Sequence, residues 1–279
     1  LADKLNFRLT VKIKLDFMTE KPLISCLCVT HNKLNFLQRV IRCFKAQTYT
    51  NKELVIVYES DNFSVQEFSK SCDDTSVTFY EIPATPKQSL GTLRNISLQY
   101  AKGDYFCQWD DDDWYAEDRL DVQYDALKSN VKVASMLTYW LMFDSMNNQA
   151  FLSPFRLWEG SILCEKAMIT SEVNYANLEK GEDTVLLGKL LETNCIFPII
   201  KPNIYIYVFH GDNTWDYDHF NKFYTRGLQL PFNITGVIKE ILDEKHTIHD
   251  ATEIMNSESF LKEISYRYEL IDRYRLQLV

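Results

Sequence analysis

Four consecutive aspartates, Asp110 to Asp113, stand between two tryptophans, Trp109 and Trp114. They follow DYFCQW (104–109), an apolar run that reads as a strand. At a strand end, residues two apart project to the same side, so Asp110 and Asp112 are expected to converge. Two carboxylates that close repel unless one holds a proton or a cation lies between them. Oxygen donors in this arrangement suit Mg²⁺ or Mn²⁺. The competing reading is an acidic surface turn or an Asp-rich helix start, and the flanking tryptophans weigh against it. An EF-hand is excluded: the sixth position of such a loop would be Tyr115 rather than glycine, and the twelfth is Asp121 rather than glutamate.

Three other places carry reactive side chains. Glu182-Asp183 follows Gly181 at the expected start of a helix, where an acid is commonly a cap. His210 closes the run IYIYVF (204–209) and precedes Gly211. A lone histidine there is commonly a polar surface or satisfied core residue. Trp158 and Glu159 can line a binding pocket or can belong to the core.

The elements that position these residues alternate. LISCLCVT (23–30), ELVIVY (53–58), VTFYEI (77–82) and DYFCQW read as buried strands. Between them lie a helical stretch with Leu34, Leu37, Val40, Ile41 and Phe44 at helical spacing, and a second helix over 90–101. Strand and helix at this pitch imply a mainly parallel sheet with right-handed crossovers. Ligands in such sheets sit at the carboxyl ends of the strands, where the polar clusters 30–32, 59–61 and 110–113 all fall. Residues 6–17 alternate strictly and read as an added half-buried strand. From about Ile238 the chain reads as charged amphipathic helix. The expected organisation is an N-terminal strand extension (1–20), one catalytic domain (21–235, with halves at about 21–115 and 116–235), and a C-terminal helical extension (236–279).

Composition narrows the function. With 30 Lys plus Arg against 39 Asp plus Glu, the net charge is −9, which argues against a nucleic-acid binder. The eight glycines are not spaced for G-x-G-x-x-G or G-x-x-x-x-G-K, so a phosphorylated ligand would be held through a cation rather than a glycine cradle. Seven scattered cysteines read as reduced, mostly buried thiols. No apolar run approaches the roughly 20 residues of a membrane span, and the N-terminus lacks the apolar core of a signal peptide. The expectation is a cytoplasmic, intracellular protein. Homo-oligomer formation and peripheral membrane contact through the C-terminal helices stay open, with packing on the catalytic domain as the default.

The ordered motifs VTHN, SLGTLRN, GDYFCQWDDDDWY, KGEDTVLLGKL and YVFHGDNTW resemble a family 2 glycosyltransferase of the GT-A fold over roughly residues 22–215. The resemblance implies an α/β, Rossmann-like architecture with a mainly parallel central sheet, flanking helices and inverting transfer from a nucleotide sugar. Asp110 and Asp112 would form its D-x-D motif, with Asp112 the direct metal ligand, Asp110 nearer the ribose and Asp111 in the same nucleotide site. Thr30 and the His31-Asn32 turn would contact the base. Where many members have paired aspartates after the second strand, this chain has Tyr58-Glu59-Ser60-Asp61, and Glu59 is the candidate for accepting the uracil N3 proton. Arg94 would reach the nucleotide or diphosphate. Asp183 would be the general base and Glu182 would help position the acceptor. His210 would complete a Mn²⁺ shell with Asp112.

The expected function is therefore metal-dependent transfer of a hexose from a UDP-sugar, UDP-glucose or UDP-galactose favoured. The acceptor would be a hydroxyl of a glycan, a lipid-linked sugar or a protein-linked glycan. The rivals are a metal-dependent phosphatase or nucleotidyltransferase, and a non-catalytic module binding a sugar nucleotide or glycan.

Overall fold

The computed structural model describes residues 21–265; the strand expected over 6–17 and the end of the C-terminal extension lie outside them. The first half alternates strand and helix, and it adds a helix over Phe63–Ser71 that the sequence reading did not place. Strands β1 (Ile24–Thr30), β2 (Lys52–Glu59), β3 (Val77–Ile82) and β4 (Tyr105–Gln108) are separated by helices α1 (Leu34–Ala46), α2 (Phe63–Ser71) and α3 (Leu90–Tyr100). The chain continues through β5 (Trp114–Tyr115), α4 (Arg119–Asn130), β6 (Ala134–Leu137), β7 (Leu141–Asp144), β8 (Gln149–Leu152) and β9 (Leu163–Glu165). It then runs through α5 (Glu182–Glu192), β10 (Ile196–Ile199), β11 (Tyr205–Phe209), α6 (Tyr217–Tyr224), β12 (Leu228–Gln229), α7 (Phe232–Leu242) and α8 (Ile248–Asn256).

Among the described residues these strands form two sheets. The larger has the order β10-β6-β9-β4-β1-β2-β3. Its pairs are parallel from β4 through β1 and β2 to β3 and between β10 and β6, while β9 runs antiparallel to β4 and β6. β1 and β2 are buried on both faces, because helices cover each side of a parallel sheet. Cys26, Cys28 and Cys107 are fully buried, and all seven cysteines are free thiols.

The smaller sheet, β12-β8-β7-β11-β5, was not expected. Of its strands, Tyr205–Phe209 is the IYIYVF run read from the sequence; the others have two to four residues, too short for a periodicity signal. It gives Asp110–Asp113 their setting. β4 ends at Gln108, and the chain crosses through the aspartates to β5, which pairs with β11 in the other sheet. The tetrad is a turn between sheets rather than the continuation of a strand. Side-chain alternation therefore lapses there, and Asp111 faces the same cleft as Asp110 and Asp112.

The C-terminal helices pack on the catalytic body. Ile234, Ile238, Ile241, Ala251 and Met255 belong to the same apolar core as β1 and α1. α7 runs unbroken across residues 235 and 236. Among the described residues no helix is long and apolar enough to cross a membrane.

Candidate active site

A cleft opens between the C-terminal end of β4, the start of α5 and the small sheet. Asp110, Asp111, Asp112, Glu159, Glu182 and Asp183 line it, opposed by Lys33, Arg94 and Arg156. Aromatic rings also line it, from Trp140, Trp158, Tyr207, Trp215 and Phe223.

Most of these carboxylates are held by a named partner, and two cations are shared between pairs of them. Arg94, on α3, donates from Nη2 to Asp110 Oδ1 (3.1 Å), and its Nε lies 3.2 Å from Glu182 Oε1. Gln108 Nε2 donates to the same Asp110 oxygen at 2.9 Å. Lys33 Nζ donates to Asp112 Oδ2 at 2.6 Å and stands 3.6 Å from Asp111 Oδ1. His210 Nε2 lies 3.0 Å from that Asp112 oxygen, and Asn213 Nδ2 donates to it at 3.3 Å. Asp113 turns the other way, into the core. It accepts from Tyr205 Oη (2.6 Å) and from the backbone N–H of Val208 (2.9 Å), so the tetrad is tied to β11, the strand that leads into His210.

α1 braces this arrangement along one face. Lys33 caps it, the Phe36 ring stacks on His210 at 4.3 Å, and the Arg39 guanidinium donates to the backbone carbonyls of Asp112 and Asp113. Three-residue steps on a helix keep side chains on neighbouring rows, which is how one helix reaches both the carboxylates and the histidine.

The second wall is built by Gly91 and Gly181. A Cβ at Gly91 would lie 1.7 Å from the carbonyl oxygen of Ala176. Only glycine lets α3 approach the segment that leads to Glu182. Gly181 caps α5 with φ +74, a conformation costly for any residue with a Cβ. The two acids after it lie in the first turn, where the helix dipole favours negative charge. Glu182 is buried against Arg94. Asp183 is half-buried and, among the described residues, its carboxylate takes part in no hydrogen bond or ion pair.

Of the other expected residues, Trp158 belongs to both core and cleft: it stacks on Trp140 at 4.6 Å and still lines the cavity. Glu159 is clamped by Arg156 Nη2 at 2.7 and 2.9 Å. Thr30, at the end of β1, is buried. His31, Asn32 and Glu59 gather at the ends of β1 and β2, beside the cleft rather than in its lining. His31, Glu59 and Asp61 bring one ligand atom each within 4.8 Å of one another. Glu59, however, already accepts from Lys87 Nζ (2.6 Å) and the Gln88 N–H (3.0 Å).

A sequence model described as "Glycosyl transferase family 2" matches residues 25–162, which span β1, the aspartate tetrad and Glu159. Those residues form a glycosyltransferase family 2 domain. This glycosyltransferase is 29% identical over 186 residues to an uncharacterized glycosyltransferase of Haemophilus influenzae, covering 66% of this chain and 67% of the relative. It is 22% identical over 183 residues to the Escherichia coli UDP-Glc:alpha-D-GlcNAc-diphosphoundecaprenol beta-1,3-glucosyltransferase WfaP, with shares of 66% and 67%. It spans only 42% of a Rickettsia typhi relative. In fold it is similar to S. aureus TarS in complex with UDP-GlcNAc, with a TM-score of 0.57, 14% identity, and 68% of this chain and 60% of that one covered. It is also similar to the mannosyltransferase PcManGT from Pyrobaculum calidifontis in complex with GDP-Man and Mn²⁺, with a TM-score of 0.54, 14% identity, and 90% and 81% covered. These likenesses and the two-sheet topology establish the transferase as a GT-A α/β fold.

The electrostatics of the transferase's cleft suit a cation. Burial pushes the Asp111 carboxyl up to about 6 against the pull of Lys33, and it raises Asp110 in the same way. Burial acts on Asp112 too, but Lys33 and His210 outweigh it and hold that carboxyl well below the usual range. Asp112, ionised beside the His210 imidazole, offers donors of the chemistry that Mn²⁺ or Mg²⁺ takes. Asp110 is anchored by Arg94 and Gln108, and Asp112 by Lys33, His210 and Asn213. Lys33, Asp113 and Asn213 had no distinguishing sequence signal, although Asn213 lies inside the HGDNTW stretch.

Proposed function

We propose that the enzyme transfers a hexose from a UDP-sugar, UDP-glucose or UDP-galactose favoured, to a hydroxyl of a glycan, lipid-linked or protein-linked acceptor, with inversion. The observation that carries this reading is the Asp183 carboxylate, unbonded and facing the same cleft as Asp110, Asp111 and Asp112. A single displacement needs a base on the acceptor side and charge compensation on the leaving-group side, and the cleft supplies both. Asp183 takes the proton of the acceptor hydroxyl as its oxygen bonds to the anomeric carbon and the bond from that carbon to the diphosphate breaks. Arg94 holds Asp110 and Glu182 in place, and its charge faces the nucleotide. Asp112 and His210 would hold a divalent cation, which would offset the negative charge developing on the departing diphosphate. Glu59, with Thr30, His31 and Asn32, would meet the base.

The aromatic lining, Trp140, Trp158, Tyr207 and Trp215, would receive the acceptor sugar, together with Glu159 fixed by Arg156. The WfaP relative is named for a diphosphoundecaprenol acceptor, which makes a lipid-linked sugar one of the acceptors to try. A panel of UDP-sugars with Mn²⁺, read by thermal shift and by release of UDP, tests the proposal. A ligand selective for the folded state raises the melting temperature. A donor that stabilises the protein yet releases phosphate or pyrophosphate instead of UDP would sink it.

A further inference from the structure

The oxygen best placed to take a metal is already crowded. Asp112 Oδ2 has Lys33 Nζ at 2.6 Å, His210 Nε2 at 3.0 Å and Asn213 Nδ2 at 3.3 Å. The ammonium also faces Asp111 at 3.6 Å, and the Lys33 side chain is only 16% exposed. It is held from behind: its carbonyl accepts from Leu37 N–H in the first turn of α1. The aspartate backbone cannot easily retreat either, because Arg39 grips the carbonyls of Asp112 and Asp113. A lysine is a compact charge on a flexible stem, so its ammonium can swing while its Cα stays fixed.

We propose that Lys33 is a resident countercation which holds Asp111 and Asp112 in the donor-free enzyme and makes divalent-cation binding depend on the diphosphate. This rests on the metal-dependent reading above. Without nucleotide, a divalent ion entering at Asp112 meets a positive charge a few ångströms away and a carboxylate already neutralised. A bound diphosphate supplies new oxygens for both the ion and the ammonium. Lys33 then exchanges a carboxylate partner for a phosphate one, and the repulsion between the two cations is offset. The cation and the nucleotide thus enter together, which would limit capture of free divalent ions by the acidic cleft.

The test is Mn²⁺ titration of the full chain, followed by calorimetry and by the electron paramagnetic resonance signal of free Mn²⁺, with and without UDP. The wild type should bind Mn²⁺ weakly alone and tightly with UDP. Lys33→Met should bind Mn²⁺ alone at least about ten-fold tighter, since one unit charge at this range is worth that much even when well screened. Lys33→Gln keeps a hydrogen-bond donor toward Asp112 and should show the same gain, whereas Lys33→Arg should bind as weakly as wild type. Thermal melts establish that each variant is folded. Equal Mn²⁺ affinity in wild type, Lys33→Met and Lys33→Gln would overturn the role of Lys33 alone. Absence of Mn²⁺ binding in every protein, with and without UDP, would overturn the metal-dependent reading and this inference with it.

Discussion

Arg94 Nε stands 3.2 Å from Glu182 Oε1, so the side chain that reaches Asp110 from α3 also holds the first residue of α5. The two walls of the cleft are thereby joined through one buried guanidinium. Removing one member of a buried charged set leaves the others unpaired, at a cost of about 3–5 kcal/mol. Arg94→Met should lower the free energy of urea unfolding by about that amount. A loss below about 1 kcal/mol would mean that water already screens the pair.

Glu182 should also impose a pH dependence. Burial pushes its carboxyl up to about 7 from an ordinary 4.5, against the opposing pull of Arg94. Between those values the folded protein keeps a proton that the unfolded chain has lost, so stability declines as pH rises through that window. The Glu182 contribution is fully present below about 4.5 and gone above about 7. Over the window it amounts to roughly 3 kcal/mol. Glu182→Gln removes it, and the difference between variant and wild type cancels every other titrating group. Urea midpoints measured from pH 4 to 8 should converge at acid pH and favour the variant above neutrality; parallel curves would contradict the assignment.

Asp183 separates chemistry from binding. Its carboxylate has no hydrogen-bond partner among the described residues, so Asp183→Asn should disturb neither fold nor donor site. Loss of a general base should cost turnover about 10²–10⁴-fold. Donor affinity by calorimetry should change by less than about two-fold, an energy of a few tenths of a kcal/mol. An Asp183→Asn protein that turns over normally but binds UDP-sugar weakly would move the base elsewhere.

How much of this was legible in the sequence depended on local regularity. β1, β2 and β4 are apolar enough to show their burial, whereas VTFYEI, read as buried, is a part-exposed strand at the sheet edge; the clusters at the strand ends pointed to the cleft. Gly181 before Glu182-Asp183 marked the start of α5 correctly, because a residue with positive φ followed by acids is a local signal. The tetrad was harder. Its four aspartates are chemically identical in sequence, and only the crossing between sheets decides that Asp113 points into the core while Asp111 joins the cleft. Lys33 is separated from Asp112 by 79 positions. In a linear reading it is one more polar residue before a helix. Nothing local distinguishes a lysine that will be buried against two carboxylates from one that stays in water.

Close approach of two elements makes the next prediction. Gly91 lies where a Cβ would come within 1.7 Å of the Ala176 carbonyl oxygen, and its own N–H donates to Leu178 at 3.0 Å. The obstacle is backbone, which cannot rotate away as a side chain can. Overpacking of this kind costs about 1–3 kcal/mol or more. Gly91→Ala should lower stability by that amount and reduce turnover, since the displaced segment leads into Glu182 and Asp183. A variant with unchanged urea midpoint and rate would show that α3 can shift without moving the cleft.

Asp113 offers a sharper test of the link between the tetrad and His210. Its side chain is fully buried and its two oxygens serve different donors, the hydroxyl of Tyr205 and the backbone of Val208. Asp113→Ala leaves both donors unsatisfied, and each such group costs about 1–3 kcal/mol. Asp113→Asn retains one acceptor oxygen and should lose less than half as much. Because Val208 lies two residues before His210, both variants should also loosen the approach of the imidazole to Asp112. The expected order in urea unfolding and in Mn²⁺ affinity with UDP is therefore wild type, then Asn, then Ala. If Mn²⁺ affinity stays constant while stability falls, Asp113 serves the fold alone and does not place His210.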